Sequence, residues 1–215
     1  MSATTETTRT TKPTRGARGG YAKGRARRND IIQSAIGLFG EVGFHGASLR
    51  DIAARSGVSH PGLLHHFATK TALLEAVLAY RDEADEADLD ADVEQGRTWL
   101  EALVRLSQRN QLRRPIVELF AALSAEATSV DHPAHQYFVD RYLTSVAAAR
   151  ADLERYAEAG RLRPGVDIDV AARAIIALMD GLQIQWLMSL GRPKRAQVNM
   201  AADLSAYLDL IIEPA

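Results

Sequence analysis

Apolar residues along the chain recur at three- and four-residue intervals, the period of one face of an α-helix. In the first such run, from Arg27, residues Ile31, Ile32, Ala35, Leu38, Phe39 and Val42 share a face, and Gly43 is placed to end the helix. Three elements with N-cap signals follow. Ser48, with Asp51 three residues on, starts a short helix through Ser56, and Gly57 makes a turn. Ser59 caps a helix through about Phe67, and Thr69 caps another that begins at Lys70. The rest keeps the helical period, punctuated at Gly96, Pro115, 131–133, 160–165 and 191–193. Strand alternation, hairpin dipeptides and internal repeats are absent from the pattern. It predicts an all-α chain of roughly nine helices, a small N-terminal bundle followed by a larger helical domain.

Composition adds limits. The chain has 215 residues, 47% hydrophobic and 25% charged, ordinary values for one or two globular domains with a sizeable core. With no cysteine, disulfides, thiolate nucleophiles and Cys-ligated zinc are excluded. The net charge of −1 averages opposed regions. Residues 1–29 carry eight basic side chains against Glu6 alone, whereas 76–215 carry 15 basic and 22 acidic ones. Such asymmetry suits a basic end that meets a polyanion and an acidic body that does not. Residues 1–24, rich in Thr, Gly and Arg, read as a disordered basic arm without the apolar core of a signal peptide. The most apolar stretch, 170–190, is interrupted by Arg173, Asp180, Gln183 and Gln185, so it reads as no membrane span. A soluble, cytoplasmic protein with no membrane partner is expected. The acidic run 82–94 reads as a solvated helix face.

The informative segment is 48–67. Two short helices meet at an angle when a small residue lies where they touch and a flexible one makes the turn. Ala53 and Gly57 suit these roles, and Ile52, Val58, Leu63 and Phe67 would fill the wedge against the preceding helix. That is the logic of a helix-turn-helix, whose second helix enters the DNA major groove. The wider frame is more specific. Phe44-His-Gly-Ala-Ser-Leu-Arg-Asp-Ile-Ala, Gly57-Val-Ser and Leu64-His-His-Phe-Ala-Thr-Lys70 followed by Ala72-Leu-Leu resemble the DNA-binding domain of TetR-type (TetR/AcrR-like) transcriptional regulators. The preceding helix with Ile32, Ala35, Leu38-Phe39 and Gly43 matches as well.

The resemblance implies a three-helix DNA-binding domain over 25–80 and a helical effector-binding and dimerisation domain over 81–215. It implies that Ser48 and Ser59 cap the motif helices beside phosphates, where helix N-termini favour anions. His60, Gly62, Leu64 and His65 lie where family members approach bases or the sugar-phosphate wall, and His66 and Lys70 where phosphate contacts are expected. Two departures stand out. Leu64 takes the place of a usual Tyr, so one hydroxyl contact to the backbone is missing. Pro61-Gly62 is tolerated in a first helical turn, and Gly62 lets the backbone approach DNA closely. With no Arg or Lys in the recognition helix, bidentate readout of guanine is lost, leaving apolar, His and backbone contacts to give specificity. Arg25, Arg27 and Arg28, at the end of the arm, are placed for phosphates or the minor groove; the alternative is a solubilising tail.

The second domain holds the dimer and effector candidates. Residues 170–190 include 15 apolar residues of 21, spread around the helix, and 196–212 are similar. A helix apolar all round is buried on more than one side, and the family pairs through two C-terminal helices into a four-helix bundle. Such a C₂ homodimer would set its recognition helices about 34 Å apart on a palindromic double-stranded DNA operator. Trp99, Leu103, Leu119, Phe120, Tyr137, Phe138, Met179, Asp180, Gln183 and Trp186 are candidates for a small-molecule effector pocket, each of them equally a core residue. Asp180 is satisfied by an Arg or a helix terminus, or else binds a cationic ligand. The histidines (His45, His60, His65 and His66; His132 and His135) lack regular ligand spacing, so no metal is expected and they are read as facing solvent or DNA. No Gly-x-Ser-x-Gly elbow appears, so neither an enzyme nor a cofactor is expected. The reading is a ligand-responsive repressor; an α-helical sensor that has lost DNA binding is the rival.

Overall fold

The computed structural model describes residues 15–214. Among them are nine α-helices, one short 3₁₀ turn and no strand. The helices are α1 (Arg15–Gly46), α2 (Leu49–Arg55), α3 (His60–His66), α4 (Lys70–Glu94), α5 (Trp99–Asn110), α6 (Arg114–Glu126), α7 (His135–Glu158), α8 (Ile168–Ser189) and α9 (Met200–Asp209). The predicted caps hold. Ser48, Ser59 and Thr69 each accept the backbone N–H three residues on. Thr98, which the pattern did not single out, forms a full capping box with Glu101 at the start of α5.

Helix α1 starts at Arg15, so the later part of the predicted disordered arm is helical; residues 1–14 lie outside the described residues. Ala22, Ala26 and the straight-chain Lys23, Arg25, Arg27 and Arg28 favour a helix, and extending an existing helix avoids the cost of nucleation. At its other end Gly43 takes φ 73° and ψ 178°, a conformation that breaks the helix and that only glycine adopts readily.

The first core unites α1–α4 with α6 and the start of α7. Ile31, Ile32, Ala35 and Phe39 of α1, Ile52 of α2 and Leu63 of α3 meet Leu119, Phe120 and Leu123 of α6 and Phe138 of α7. Each of the larger of these buried side chains, Ile, Leu or Phe, contributes about 1.5–3 kcal/mol. Helix α1 lies chiefly on α6. Gly40 permits this approach, since a Cβ there would come within 3.0 Å of Leu119 N. A second core joins α5, α7, α8 and α9 around Leu100, Leu106, Leu153, Ile175, Trp186 and Leu204. Val117 of α6 belongs to the second core and Leu119 to the first, so α6 is the wall common to both.

The acidic run on α4 is a solvated face only in part: Glu83, Glu86, Asp90 and Glu94 are exposed. Asp85 and Asp92 are buried, and their helix face is laced to arginines of α5 and the α5–α6 turn. Asp85 pairs with Arg81 at 3.1 Å and Arg113 at 2.9 Å, Asp88 with Arg109 at 3.1 Å, and Asp92 with Arg109 at 2.8 Å and Arg105 at 2.7 Å. Burial would raise the Asp92 carboxyl, but Arg109 and Arg105 outweigh it and hold the group below its usual value. The signal was present: acidic residues 85, 88 and 92 and basic residues 105, 109 and 113 each recur at helical spacing.

Helix α8 has the length and composition of a membrane-crossing helix. Its buried face, from Ala172 and Ile175 to Trp186, packs within the second core, which accounts for its hydropathy.

Candidate nucleic-acid interface and ligand cavity

Local sequence makes the α2–α3 corner. Gly57 sits at φ 67°, and the chain folds back so that Val58 N donates to Ala53 O at 3.0 Å. Ile52, Ala53, Leu63 and Phe67 are buried and Leu49 and Val58 half-buried against them. This leaves Pro61, Leu64 and His65 exposed along one side of α3, with His60, Gly62 and His66 half-exposed beside them. The Ser59 oxygen accepts from Gly62 N at 3.2 Å, and its own hydroxyl proton remains available to a phosphate. Ser48 differs, because its hydroxyl already donates to Asp51 Oδ2. A Cβ at Gly62 would lie 3.1 Å from Ser59 Oγ, so the glycine protects the cap as well as the outer surface.

Lys70 is engaged internally. Its ammonium donates to Phe44 O at 2.7 Å and Ala47 O at 2.9 Å and lies 4.3 Å over the Phe44 ring. One of its three N–H groups is left for a phosphate. Arg28 stacks over Phe67 at 5.0 Å, tying α1 to the end of the recognition helix. Arg25 is exposed, and Arg27 lies 3.8 Å from Asp30 in a solvated pair. A further brace was not anticipated: Arg55 of α2 forks onto Glu41 of α1 at 2.7 and 2.8 Å. The guanidinium holds the Glu41 carboxyl below its ordinary value. Nothing local in the sequence signals this pair, since 14 residues separate its members.

The histidines divide. His45, His60, His65 and His66 reach the surface, whereas His132, expected to face solvent or DNA, is buried between α1 and the end of α6. Burial pushes its imidazole below the ordinary 6.5, with Glu126 pulling the other way. His135 is half-buried, its Nδ1 2.8 Å from Ala127 O. Among the described residues no group of His, Asp and Glu side chains is arranged to hold a metal ion.

A cavity of about 210 Å³ opens between α4, α5, α6, α7 and α8. Of the predicted pocket residues, Trp99, Leu103, Phe120, Met179 and Asp180 line it. Leu119 and Phe138 are packed in the first core and Gln183 and Trp186 are buried with α8. The Tyr137 hydroxyl donates to Asp82 at 2.8 Å. Sequence reasoning missed Tyr142 and Arg141, whose helix α7 is polar enough outside to hide its inner face, and Asp85, Glu86 and Asp90 on the α4 rim. Asp180 is satisfied by neither an Arg nor a helix terminus: Oδ2 accepts from Tyr142 OH at 2.7 Å. Its Oδ1 has no hydrogen-bond partner among the described residues. Burial raises the Asp180 carboxyl above its ordinary value, opposed by Tyr142 and by Arg141 and Arg81. Burial and the same bond raise the Tyr142 hydroxyl. A more open groove of about 490 Å³ lies between α5 and the C-terminal residues. Its Arg97 and Arg105 pair with Asp92 and its Arg161 with the Glu213 carbonyl.

Residues 31–77 match the family described as bacterial regulatory proteins, tetR family, and residues 96–213 match the C-terminal domain of BetI-type transcriptional repressors. The HTH-type transcriptional regulator BetI of Serratia proteamaculans is 30% identical over 86% of this chain and 90% of its own length. A transcriptional regulator from Saccharomonospora viridis, solved in complex with choline, is 26% identical with a TM-score of 0.67, over 87% of this chain and 98% of that one. A TetR regulator from Chloroflexus aurantiacus shares the fold at a TM-score of 0.73 and 21% identity, over 90% of this chain and 100% of that one.

Proposed function

Because the chain belongs to the TetR family of transcriptional regulators, we propose that it is a dimeric repressor released from a palindromic operator by a small organic cation. The observation that carries the effector class is the cavity's lining. Asp180 offers an oxygen with no other partner, Trp99 and Tyr142 bring aromatic rings to the lining, and Glu86 and Asp90 stand at the rim. Aromatic faces and a carboxylate attract a cation whose charge has no N–H to donate, and an anionic ligand would face the Asp180 carboxylate, while the Arg141 that also lines the cavity is paired with Asp82. The volume of about 210 Å³ suits a small ligand. The S. viridis relative's choline is a cation of this kind.

Dimerisation is supported by the outer side of α8. Ala177, Ile184 and Met188 are exposed with Gly181 between them, Met188 at 73%. Small residues at the centre of an apolar stripe let a second helix approach closely, and a C₂ pair would carry two α3 helices to successive major grooves. Release then follows from a two-state equilibrium in which the cation binds the operator-incompetent arrangement more tightly. A mobility-shift titration with DNA upstream of the protein's own gene, using choline and tetramethylammonium as probes, tests this. Both should release wild-type protein, and Asp180→Asn should keep DNA binding but respond only at much higher concentration. Release by anionic or neutral compounds with indifference to both cations would overturn the effector class.

A further inference from the structure

Residue 44 is gripped from three sides. Its amide donates to Glu126 Oε2, on the last residue of α6, at 2.8 Å. Its carbonyl accepts from Lys70 at the start of α4. Its ring meets the His132 ring edge-on, with centroids 5.3 Å apart. His132 is itself fixed, 3.3 Å from Glu126 Oε2 by Nε2 and accepting Ala134 N–H by Nδ1. The backbone is shaped around the same carboxylate. Gly43 adopts a glycine-only conformation, and a Cβ there would collide with Glu126 Oε1.

Two consequences follow from position. Lys70 also holds Ala47, the residue before the Ser48 cap of α2, so the 44–47 segment moves as one piece with the motif. Helix α6 carries Phe120 at the ligand cavity and Glu126 at this joint, about 9 Å apart at 1.5 Å per residue. A shift of α6 at the cavity therefore reaches the motif through a directional hydrogen bond to a charged group, in addition to the apolar packing of α6 on α1.

We infer that Glu126 is the positioning residue through which α6 sets where the α2–α3 unit stands, and hence the separation of the two recognition helices. The inference rests on the dimeric operator reading above, though not on the identity of the effector.

Operator duplexes selected with the wild-type protein, then rebuilt with half-sites moved by one and two base pairs, test it. Wild type should discriminate among spacings. Glu126→Gln, whose amide oxygen still accepts from Phe44, should keep that discrimination within about threefold. Glu126→Ala should lose about tenfold of it or more, the worth of a hydrogen bond to a charged group, while binding a single half-site as wild type does. Glu126→Asp, shorter by one methylene, replaces the alanine variant if that one is unfolded and should show the same loss. Undiminished discrimination in Glu126→Ala overturns the inference. So does an equal loss on every duplex and the half-site, which marks a merely structural role. A wild type indifferent to spacing overturns the dimeric reading and the inference with it.

Discussion

Replacing Gly43 by Ala probes the junction between the two halves most directly. Two costs are separable. At φ 73° and ψ 178° an L-residue occupies a region that is nearly exclusive to glycine, at about 1–3 kcal/mol. The new Cβ also meets the Glu126 carboxylate. That carboxylate ends a flexible side chain and can swing away, so the clash itself is not the cost. What is lost is its bond to the Phe44 amide, about 1.5–3 kcal/mol for a charged acceptor. Together these predict a destabilisation of roughly 2.5–6 kcal/mol, or about 5–24 °C in Tm for a chain of this size. Urea unfolding of wild type, Gly43→Ala, Glu126→Ala and the double variant separates the terms. With Glu126 already removed, Gly43→Ala should cost only the backbone strain, so the double variant should be more stable than additivity predicts by about 1.5–3 kcal/mol. A Gly43→Ala cost below about 1 kcal/mol, or single costs that add within about 0.5 kcal/mol, would refute the reasoning.

Other predictions concern the dimer, the buried histidine and the basic segment. Ile184→Glu with Met188→Glu should halve the mass by light scattering at micromolar concentration and weaken operator binding by roughly a hundredfold through lost avidity; a dimer of unchanged mass would contradict the α8 interface. His132 has a folded-state pKa below its ordinary 6.5 because of burial, so the unfolded chain binds its proton first and stability falls as pH drops below about 6.5, levelling once the folded form also protonates. Tm measured at pH 7.5 and 5.5 should show this slope, and His132→Gln should reduce it; an identical slope in the variant assigns the effect elsewhere. Deleting residues 1–23 should weaken operator binding and flatten its dependence on salt, which unchanged affinity at two salt concentrations would contradict.

What was legible in the sequence was what local chemistry decides. Ser48, Ser59 and Thr69 announce helix starts because an N-cap bond spans three residues, and Gly57 announces the turn because few residues tolerate positive φ. The all-α class and the order of elements follow from such signals. Pairings across elements were not legible in the same way. Glu41 with Arg55, Glu126 with Phe44 and Asp180 with Tyr142 join residues 14, 82 and 38 positions apart. The acidic run misled for a related reason: a helix bearing many carboxylates looks solvated until the facing arginines of α5 are recognised as its partners.

The interface raises one further physical question, that of where the cations for DNA stand. Helix α3 contains no Arg or Lys, and Lys70, the nearest ammonium, directs two of its donors at Phe44 and Ala47. A chain of net charge −1 still has to neutralise phosphates, because that term dominates affinity for any duplex. Arg25, Arg27 and Arg28 are exposed on the first turns of α1 described with side chains, and Arg28 stacks on Phe67 at the end of the recognition helix. That contact ties the basic start of α1 to the end of α3. The helix therefore does what a loose arm would do less well: it presents basic side chains at a fixed distance from α3. On the operator-binding reading proposed above, α1 would supply attraction and α3 would supply His, Leu and backbone contacts for recognition.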